Sequence, residues 1–182
     1  ADGIHPGYGF LSEKVELVEA CEQANIKFIG PSKKAIEIMG DKIKSRQLMI
    51  SGNVPVVPGF DLHESGDIGV VMEQARKLGF PLMVKAASGG GGKGMRLVLE
   101  QKDLKSSLNL AKAESMSAFG SDEIIIEKAL IKPRHIEVQI FGDNFGNFIH
   151  LGERDCSVQR RHQKIIEEAP ARRISNEVRN KL

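Results

Sequence analysis

The sequence has few of the residues on which disulfide frameworks, zinc sites and base-stacking surfaces depend. Of its 182 residues only two are cysteines, Cys21 and Cys156, and they lie too far apart to form a C-x-x-C pair. This spacing argues against a zinc site or a disulfide framework and favours a reducing compartment, the cytoplasm or, in a eukaryote, the mitochondrial matrix. There is no tryptophan and Tyr8 is the single tyrosine, so the aromatic rings on which nucleic-acid bases would stack are scarce.

Charge and hydropathy exclude further classes of protein. The 26 basic and 24 acidic residues leave a net charge of +2, so no overall field attracts nucleic acid or a membrane, and any anion site must be local. No apolar run is long enough to cross a bilayer, and no signal peptide is visible. We therefore expect neither nucleic acid nor a membrane as a partner. Both ends of the sequence look cut, because it starts without methionine and stops inside a helical pattern.

Helical and strand-like patterns alternate along the chain, which predicts an α/β fold. Apolar residues recur at helical spacing over 13–24 and over 67–78, where Gly79 provides a stop. Ser32 and Asp41 are placed to cap helices over 32–39 and 41–50. The same reasoning predicts a helix around 104–119 and strands over 27–29, 54–57, 82–86, 95–99, 123–128, 135–141 and 147–151, with the last two forming a hairpin.

The stretch KAASGGGGKGMRLVLE, residues 85–100, contains a run of glycines between two predicted strands. Gly89, Gly91 and Gly94 satisfy G-x-G-x-x-G, but a dinucleotide site needs a helix after the loop, and here a strand follows. A P-loop needs Ser or Thr after Lys93, where Gly94 stands. The remaining interpretation is a glycine hairpin whose backbone closes over nucleotide phosphates, with Lys85 as a point charge. The alternatives are a flexible surface connector and a strand-end lysine that faces water.

A second unusual stretch is ERDCSVQRRHQKIIEEAP, residues 153–170. Its guanidinium and ammonium groups lie beside acidic and amide side chains, where an arginine fork can bind carboxylate or phosphate with two hydrogen bonds. The cationic candidates are Arg154, Arg160, Arg161, His162 and Lys164. A solvated run of charges is the alternative, and nucleic-acid binding is disfavoured by the scarcity of aromatic residues.

Six motifs together carry a family resemblance. HPGYGFLSE, MGDK, KAASGGGGKGMR, IIIEKAL, PRHIEVQ and ERDCSVQRRHQKIIEEAPA occur in the order and approximate spacing of the biotin carboxylase component of biotin-dependent carboxylases. The chain resembles this component over nearly its whole length. The motifs do not distinguish acetyl-, propionyl- or methylcrotonyl-CoA carboxylase from pyruvate carboxylase.

The resemblance implies a partial ATP-grasp fold, an α/β architecture in which two subdomains hold ATP and a glycine hairpin closes over the phosphates. Residues 1–40 would be the end of a Rossmann-like amino-terminal subdomain and 41–182 the ATP-grasp domain, with a lid subdomain at 60–130 and the start of the carboxyl-terminal subdomain at 131–182. The implied activity is that of a ligase. ATP phosphorylates bicarbonate to carboxyphosphate, which delivers its carboxyl group to biotin on a carrier domain that serves a carboxyltransferase component. Family members commonly form homo-oligomers.

The resemblance also assigns residues. Lys42 and Lys85 would contact the ATP phosphates, and Gly91 and Gly92 would form the lid contact. The backbone of Glu127, Lys128, Ala129 and Leu130 would bind adenine, while His135, Gln159 and His162 would line the nucleotide site. Lys164 would lie near bicarbonate as the catalytic residue. The family's magnesium ligands and its bicarbonate arginine lie beyond Leu182, so we expect no metal ligand here.

Each assignment has an alternative based on the residues alone. Lys42 could be an exposed residue in the first turn of a helix, and His135 a hydrogen-bonded strand histidine. HPGYGFLSE reads only as a glycine turn before a helix. For the whole chain, the expectation is the nucleotide-contacting half of a biotin carboxylase, inactive in isolation. The alternatives are a non-catalytic nucleotide-binding protein of the same fold and an ATP-grasp ligase that acts on another carboxylate.

Overall fold

The computed structural model describes residues 1–62, 67–88, 94–160 and 163–182. The chain divides into two units, residues 1–129 and 130–182. Within the described ranges, no helix is both long enough and apolar enough to span a membrane.

The first unit begins with a β-α-β arrangement followed by two further helices. Strands β1 (Gly3–Ile4) and β2 (Lys27–Phe28) pair in parallel, and α1 (Val15–Gln23) connects them. Helices α2 (Lys33–Met39) and α3 (Lys42–Ser51) follow. Their predicted caps are confirmed: the Ser32 hydroxyl accepts a hydrogen bond from the Ala35 amide, and the Asp41 carboxylate accepts from the amides of Ile43 and Lys44. These side chains satisfy amides that have no partner within the helix.

A four-stranded antiparallel sheet in the order β3-β6-β4-β5 forms the body of the first unit. Two helices pack on one of its faces, and a buried cluster that includes Val84, Ile126, Ala75 and Leu108 joins the sheet to them. Burial of this apolar surface is the main stabilising contribution to the unit. The elements are β3 (Gly59–Asp61), α4 (Ile68–Leu78), β4 (Leu82–Ala86), β5 (Arg96–Val98), a 3₁₀ turn (Gln101–Asp103), α5 (Leu104–Phe119) and β6 (Ile124–Lys128).

The strand predicted over 54–57 is wrong, and the sheet's edge strand lies after it. Residues 54–57 have no regular structure, and β3 begins at Gly59 and pairs with β6. Pro55 lies within the predicted strand and Pro58 directly follows it, and neither has an N–H to donate to a ladder. The β-branched residues therefore gave a strand signal where two prolines prevent pairing.

The strands on either side of the glycine run pair as predicted. β4 and β5 are antiparallel, with Leu82 opposite Val98 and Val84 opposite Arg96. Residues 89–93 lie outside the described residues. Gly94 lies directly after them at φ +68, and a Cβ there would lie 3.0 Å from the Cβ of Ala86. A side chain at position 94 would meet both an unfavourable backbone conformation and a crowded strand.

The second unit is a three-stranded antiparallel sheet in the order β7-β8-β9 with one short helix. Its elements are β7 (Ile136–Gly142), β8 (Phe148–Arg160), β9 (Gln163–Glu168) and α6 (Asn176–Arg179). The predicted hairpin is confirmed, but its second strand extends well beyond residue 151. The register shifts between Val138 and Ile140, near Gly152, whose φ is +80. This bulge lets the long strand bend without losing its partner.

Candidate functional site

Lys42 lies where the start of α3 meets the end of β4. Its backbone amide donates to the carbonyl of Ala87 over 3.3 Å, and its Nζ lies 3.4 Å from the same oxygen. Asp41 forms an isolated bridge with Ser88, which ties the helix cap to the strand that leads into the glycine run. Lys42 is half-buried rather than exposed. Burial is the main cause that lowers the pKa of its ammonium group, and the nearby charge of Lys85 adds to this effect.

Lys85 and Glu127 form an ion pair on the sheet face that lies away from α4 and α5. Alternate residues of β4 are buried, so Lys85 points to the opposite face. Its Nζ lies 2.5 Å from Oε2 of Glu127, and the two side chains are 27% and 14% exposed. Lys85 is therefore neither a strand-end residue in open water nor an isolated charge.

Arg46 joins this cluster, although sequence reasoning did not single it out. It lies one turn after Lys42 on the same side of α3, and its Nη1 is 3.7 Å from Oε1 of Glu127. Arg46 and Lys85 thus pair with one carboxylate, and Lys42 lies within range of its charge, so these four side chains carry two net positive charges. Together with Val57 these residues line an open pocket of about 280 Å³. A desolvated excess of positive charge is what an anionic ligand such as a phosphate requires.

The segment 127–130, predicted to bind adenine, lies where the first unit ends. The amide of Lys128 donates to Pro58 over 2.8 Å, and the amide of Ala129 donates to Pro81 over 3.0 Å. The Lys128 ammonium donates to the carbonyls of Gly79 and Phe80, so this side chain secures the turn before β4. Leu130 is exposed, and among the described residues its amide has no hydrogen-bond partner.

A second polar cluster in the second unit centres on Glu137 of β7. Arg154 of β8 lies directly opposite and donates to Oε1 of Glu137 from Nε over 2.9 Å and from Nη2. Lys164 of β9 donates to Oε2. The hydrogen bond from Lys164, followed by that from Arg154, lowers the pKa of Glu137 to about 2. The same pairing raises the pKa of Lys164, so the ammonium group stays charged.

His135 and Gln159 lie beside this carboxylate, so the structure brings three predicted residues of the second unit together. The amide nitrogen of Gln159 is 2.8 Å from Nδ1 of His135, and Nε2 of His135 is 3.7 Å from Oε2 of Glu137. The backbone amide of His135 donates to the hydroxyl of Ser157. The predicted site residues Gly91, Gly92 and His162 lie outside the described residues.

Sequence reasoning placed strand β7 but missed that the charged stretch 153–170 is also β-structure. Most of this stretch lies in β8 and β9, which pair with each other in antiparallel fashion. The signal was a short alternation: the apolar residues Cys156 and Val158 alternate with the polar residues Asp155, Ser157 and Gln159, and Cys156 is buried. The high charge of the stretch hid this periodicity of two.

One group of possible metal ligands occurs among the described residues. Donor atoms of Glu137, Cys156 and Glu167 lie within 4.8 Å of one another. This group does not fit Mg²⁺, because magnesium prefers oxygen ligands and one of the three donors is a thiol. The carboxylate of Glu137 is also already neutralised by Lys164 and Arg154.

Two family models match the sequence and together span nearly all of it. Residues 41–182 match the carbamoyl-phosphate synthase L chain, ATP-binding domain, and residues 1–36 match the biotin carboxylase, N-terminal domain. The chain belongs to the biotin carboxylase family. The predicted resemblance is thereby confirmed.

Curated and solved relatives agree with this membership. The chain is 50% identical over its full length to the mitochondrial methylcrotonoyl-CoA carboxylase subunit alpha of Dictyostelium discoideum and covers 26% of it. Its structure matches that of the Campylobacter jejuni biotin carboxylase in a complex with β,γ-ATP, with a TM-score of 0.92 and 50% sequence identity. The match covers all of this chain and 41% of the solved chain. It also matches the biotin carboxylase domain of Hydrogenobacter thermophilus 2-oxoglutarate carboxylase in complex with MgADP, ADP and bicarbonate, with a TM-score of 0.90 and 44% sequence identity. This match covers 100% of this chain and 40% of the solved chain.

These comparisons settle the fold and the extent of the match. The chain has part of the ATP-grasp fold. It spans about a quarter of the curated relative and two fifths of the two solved chains.

Proposed function

We propose that this chain supplies the ATP-contacting residues for carboxylation of biotin by bicarbonate through carboxyphosphate, as the biotin carboxylase part of an acyl-CoA or pyruvate carboxylase. The observation that carries the proposal is the cluster of Lys42, Arg46 and Lys85 around the single carboxylate of Glu127. Its excess positive charge lies near the end of β4, from which the chain enters the glycine run. Phosphoryl transfer is catalysed mainly by positioning and by neutralising charge on the transferring group.

Within this cluster, Lys42 and Lys85 bind the phosphates. Lys85 must then exchange its hydrogen bond with Glu127 for one with a phosphate oxygen. The backbone of Gly91 and Gly92 closes over the phosphates. Adenine binds to the backbone of Glu127 to Leu130. Because the amides of Lys128 and Ala129 already donate within the fold, the amide of Leu130 is the donor to the base.

In the second unit, His135, Gln159 and His162 contribute to the nucleotide site, and Lys164 orients bicarbonate. Lys164 has three N–H donors and uses one on Glu137. A bicarbonate ion can therefore accept from the others without breaking the ion pair. With ADP present, the wild-type chain should broaden the ¹³C signal of bicarbonate, and replacing Lys164 with Gln should abolish this broadening. Unchanged broadening in this variant would contradict the role.

Family membership supports the wider assignments of this proposal. Mg²⁺ accompanies ATP, with ligands outside the groups described above, and biotin is the carried substrate. The partners are a biotin carrier domain and a carboxyltransferase component, and the assembled enzyme is a homo-oligomer. Its compartment is the cytoplasm or the mitochondrial matrix.

The proposed domain division follows the same family. Residues 1–40 belong to the amino-terminal subdomain and 41–182 to the ATP-grasp domain. Within the latter, 60–130 form the lid subdomain and 131–182 begin the carboxyl-terminal subdomain.

The experiment that tests this proposal is calorimetric titration of ATP, with Mg²⁺, into the chain. Lys85→Gln should weaken binding by about 10- to 100-fold, because one charge-assisted hydrogen bond to phosphate is lost. Lys102→Gln is the matched control, since that side chain is 73% exposed beside Glu100, and it should bind as the wild type does. Equal binding by Lys85→Gln would remove Lys85 from the site, and failure of the wild type to bind would contradict the proposal.

A further inference from the structure

Arg46 holds an unusual position for an arginine that no family motif assigns. Its guanidinium side chain is 15% exposed, so its charge lies largely out of water. Nη1 donates to the carbonyl of Val57, and Nη2 reaches the carbonyl of Gly59 over 3.4 Å. These contacts fix the guanidinium plane between α3 and the segment that leads into β3.

The fixed guanidinium faces a carboxylate that is shared between two cations. Oε2 of Glu127 accepts from Lys85 at 2.5 Å, while Oε1 faces Arg46 at 3.7 Å. Each carboxylate oxygen therefore has its own positive partner. A ligand that draws Lys85 away would leave Oε2 without its cation, in a side chain that is only 14% exposed. A buried carboxylate is costly to leave without a partner.

We propose that Arg46 is a positioning residue: it keeps the Glu127 carboxylate in place and neutralised while the Lys85 ammonium exchanges its hydrogen bond with Glu127 for one with a phosphate. This inference rests on the proposed nucleotide site and adds to it an exchange of partners. In the free protein Lys85 and Arg46 share the carboxylate. In the nucleotide complex Lys85 binds phosphate and Arg46 alone neutralises Glu127. Without Arg46, Glu127 holds Lys85 more tightly and competes with the phosphate.

The proposal predicts an effect that depends on the phosphates and on Glu127. Arg46→Gln should weaken ATP binding about tenfold, whereas adenosine, which has no phosphate, should bind within about twofold of the wild type. In a Glu127→Gln background the effect of Arg46→Gln on ATP should fall below about threefold, because the competing charge is gone. Arg76→Gln, on an exposed arginine that pairs with Glu73, is the control and should change neither affinity.

The outcomes separate the possibilities. Unchanged ATP binding in Arg46→Gln overturns the inference, as does equal weakening of ATP and adenosine, which indicates a purely structural role. An undiminished effect in the Glu127→Gln background also overturns it, because Arg46 would then contact phosphate directly. If the wild type binds neither ligand, the proposed nucleotide site itself fails, and the inference fails with it.

A measurement on the wild-type chain keeps the test independent of how the variant folds. Addition of ATP should shift the NMR signals of both the Lys85 ammonium and the Arg46 guanidinium, and adenosine should shift neither by a comparable amount. A shift of the Lys85 signal with an unchanged Arg46 signal would contradict the exchange of partners.

Discussion

Removing the charge of Glu137 should change the stability of the chain in a way that depends on pH. The carboxylate lies between Lys164 and Arg154, and these partners lower its pKa from 4.5 to about 2. A difference of this size corresponds to at most about 3.4 kcal/mol. Since the side chain is still 20% exposed and water screens the pair, we expect about 1–2 kcal/mol.

The direction follows from the lowered pKa. A carboxyl group whose pKa is lower in the folded state stabilises that state above the pKa of the unfolded chain, and the stabilisation is lost as the pH falls. Wild type should therefore exceed Glu137→Gln by about 1–2 kcal/mol in free energy of unfolding at pH 6. The difference should disappear progressively between about pH 5 and pH 2.

Urea unfolding followed by circular dichroism at several pH values measures this difference, and ¹³C NMR of the carboxyl group measures the pKa directly. Glu177→Gln is the matched control, because Glu177 of α6 is 78% exposed and pairs with Lys181, which lies just after that helix. Its difference from wild type should stay near zero throughout. Parallel pH profiles for wild type and Glu137→Gln, or titration of Glu137 near 4.5, would refute the reasoning.

Three further predictions concern the fold. Leu82→Ala should lower the free energy of unfolding by about 2–5 kcal/mol, because Leu82 is fully buried. Leu97 is 48% exposed, so Leu97→Ala should lower it by less than about 1 kcal/mol. Similar losses for the two variants in urea unfolding would contradict the assigned core. Asp41→Ala should cost about 1 kcal/mol through loss of the α3 cap, and an unchanged unfolding midpoint would argue against that cap. Cys21 and Cys156 are both buried, and burial raises the pKa of the Cys156 thiol. A thiol reagent should therefore label neither cysteine in the native chain and both after unfolding. Rapid labelling of the native chain would contradict this burial.

Much of the first unit could be predicted because its signals are local. Asp67 and Gly79 mark the ends of α4, where the side chain of Asp67 accepts from the Gly69 amide and Gly79 adopts φ +77. Caps and a left-handed stop act within one turn, so the sequence contains all that determines them. The strand over 82–86 was likewise bounded by Pro81 and the glycine run.

The partners of the site side chains could not be predicted, because sheet register decides them. Lys85 and Glu127 are 42 residues apart and meet only because β4 pairs with β6. Glu137 and Arg154 meet because β7 and β8 pair in one register out of several. Arg46 was missed because an arginine inside a helix has no local feature that distinguishes it from a surface residue. Its role follows from the carbonyls and the carboxylate that tertiary packing brings to it.

The most direct test of the proposed site is a map of amide shifts in NMR spectra of the ¹⁵N-labelled chain. Addition of ATP should shift the signals of Lys42, Lys85 and Leu130, whereas adenosine should shift Leu130 and leave the two lysines almost unchanged. This pattern would place the phosphates at the lysine cluster and the base at the end of β6. Shifts confined to exposed basic residues such as Arg76 and Lys77, or no shifts at all, would contradict a nucleotide site at this position.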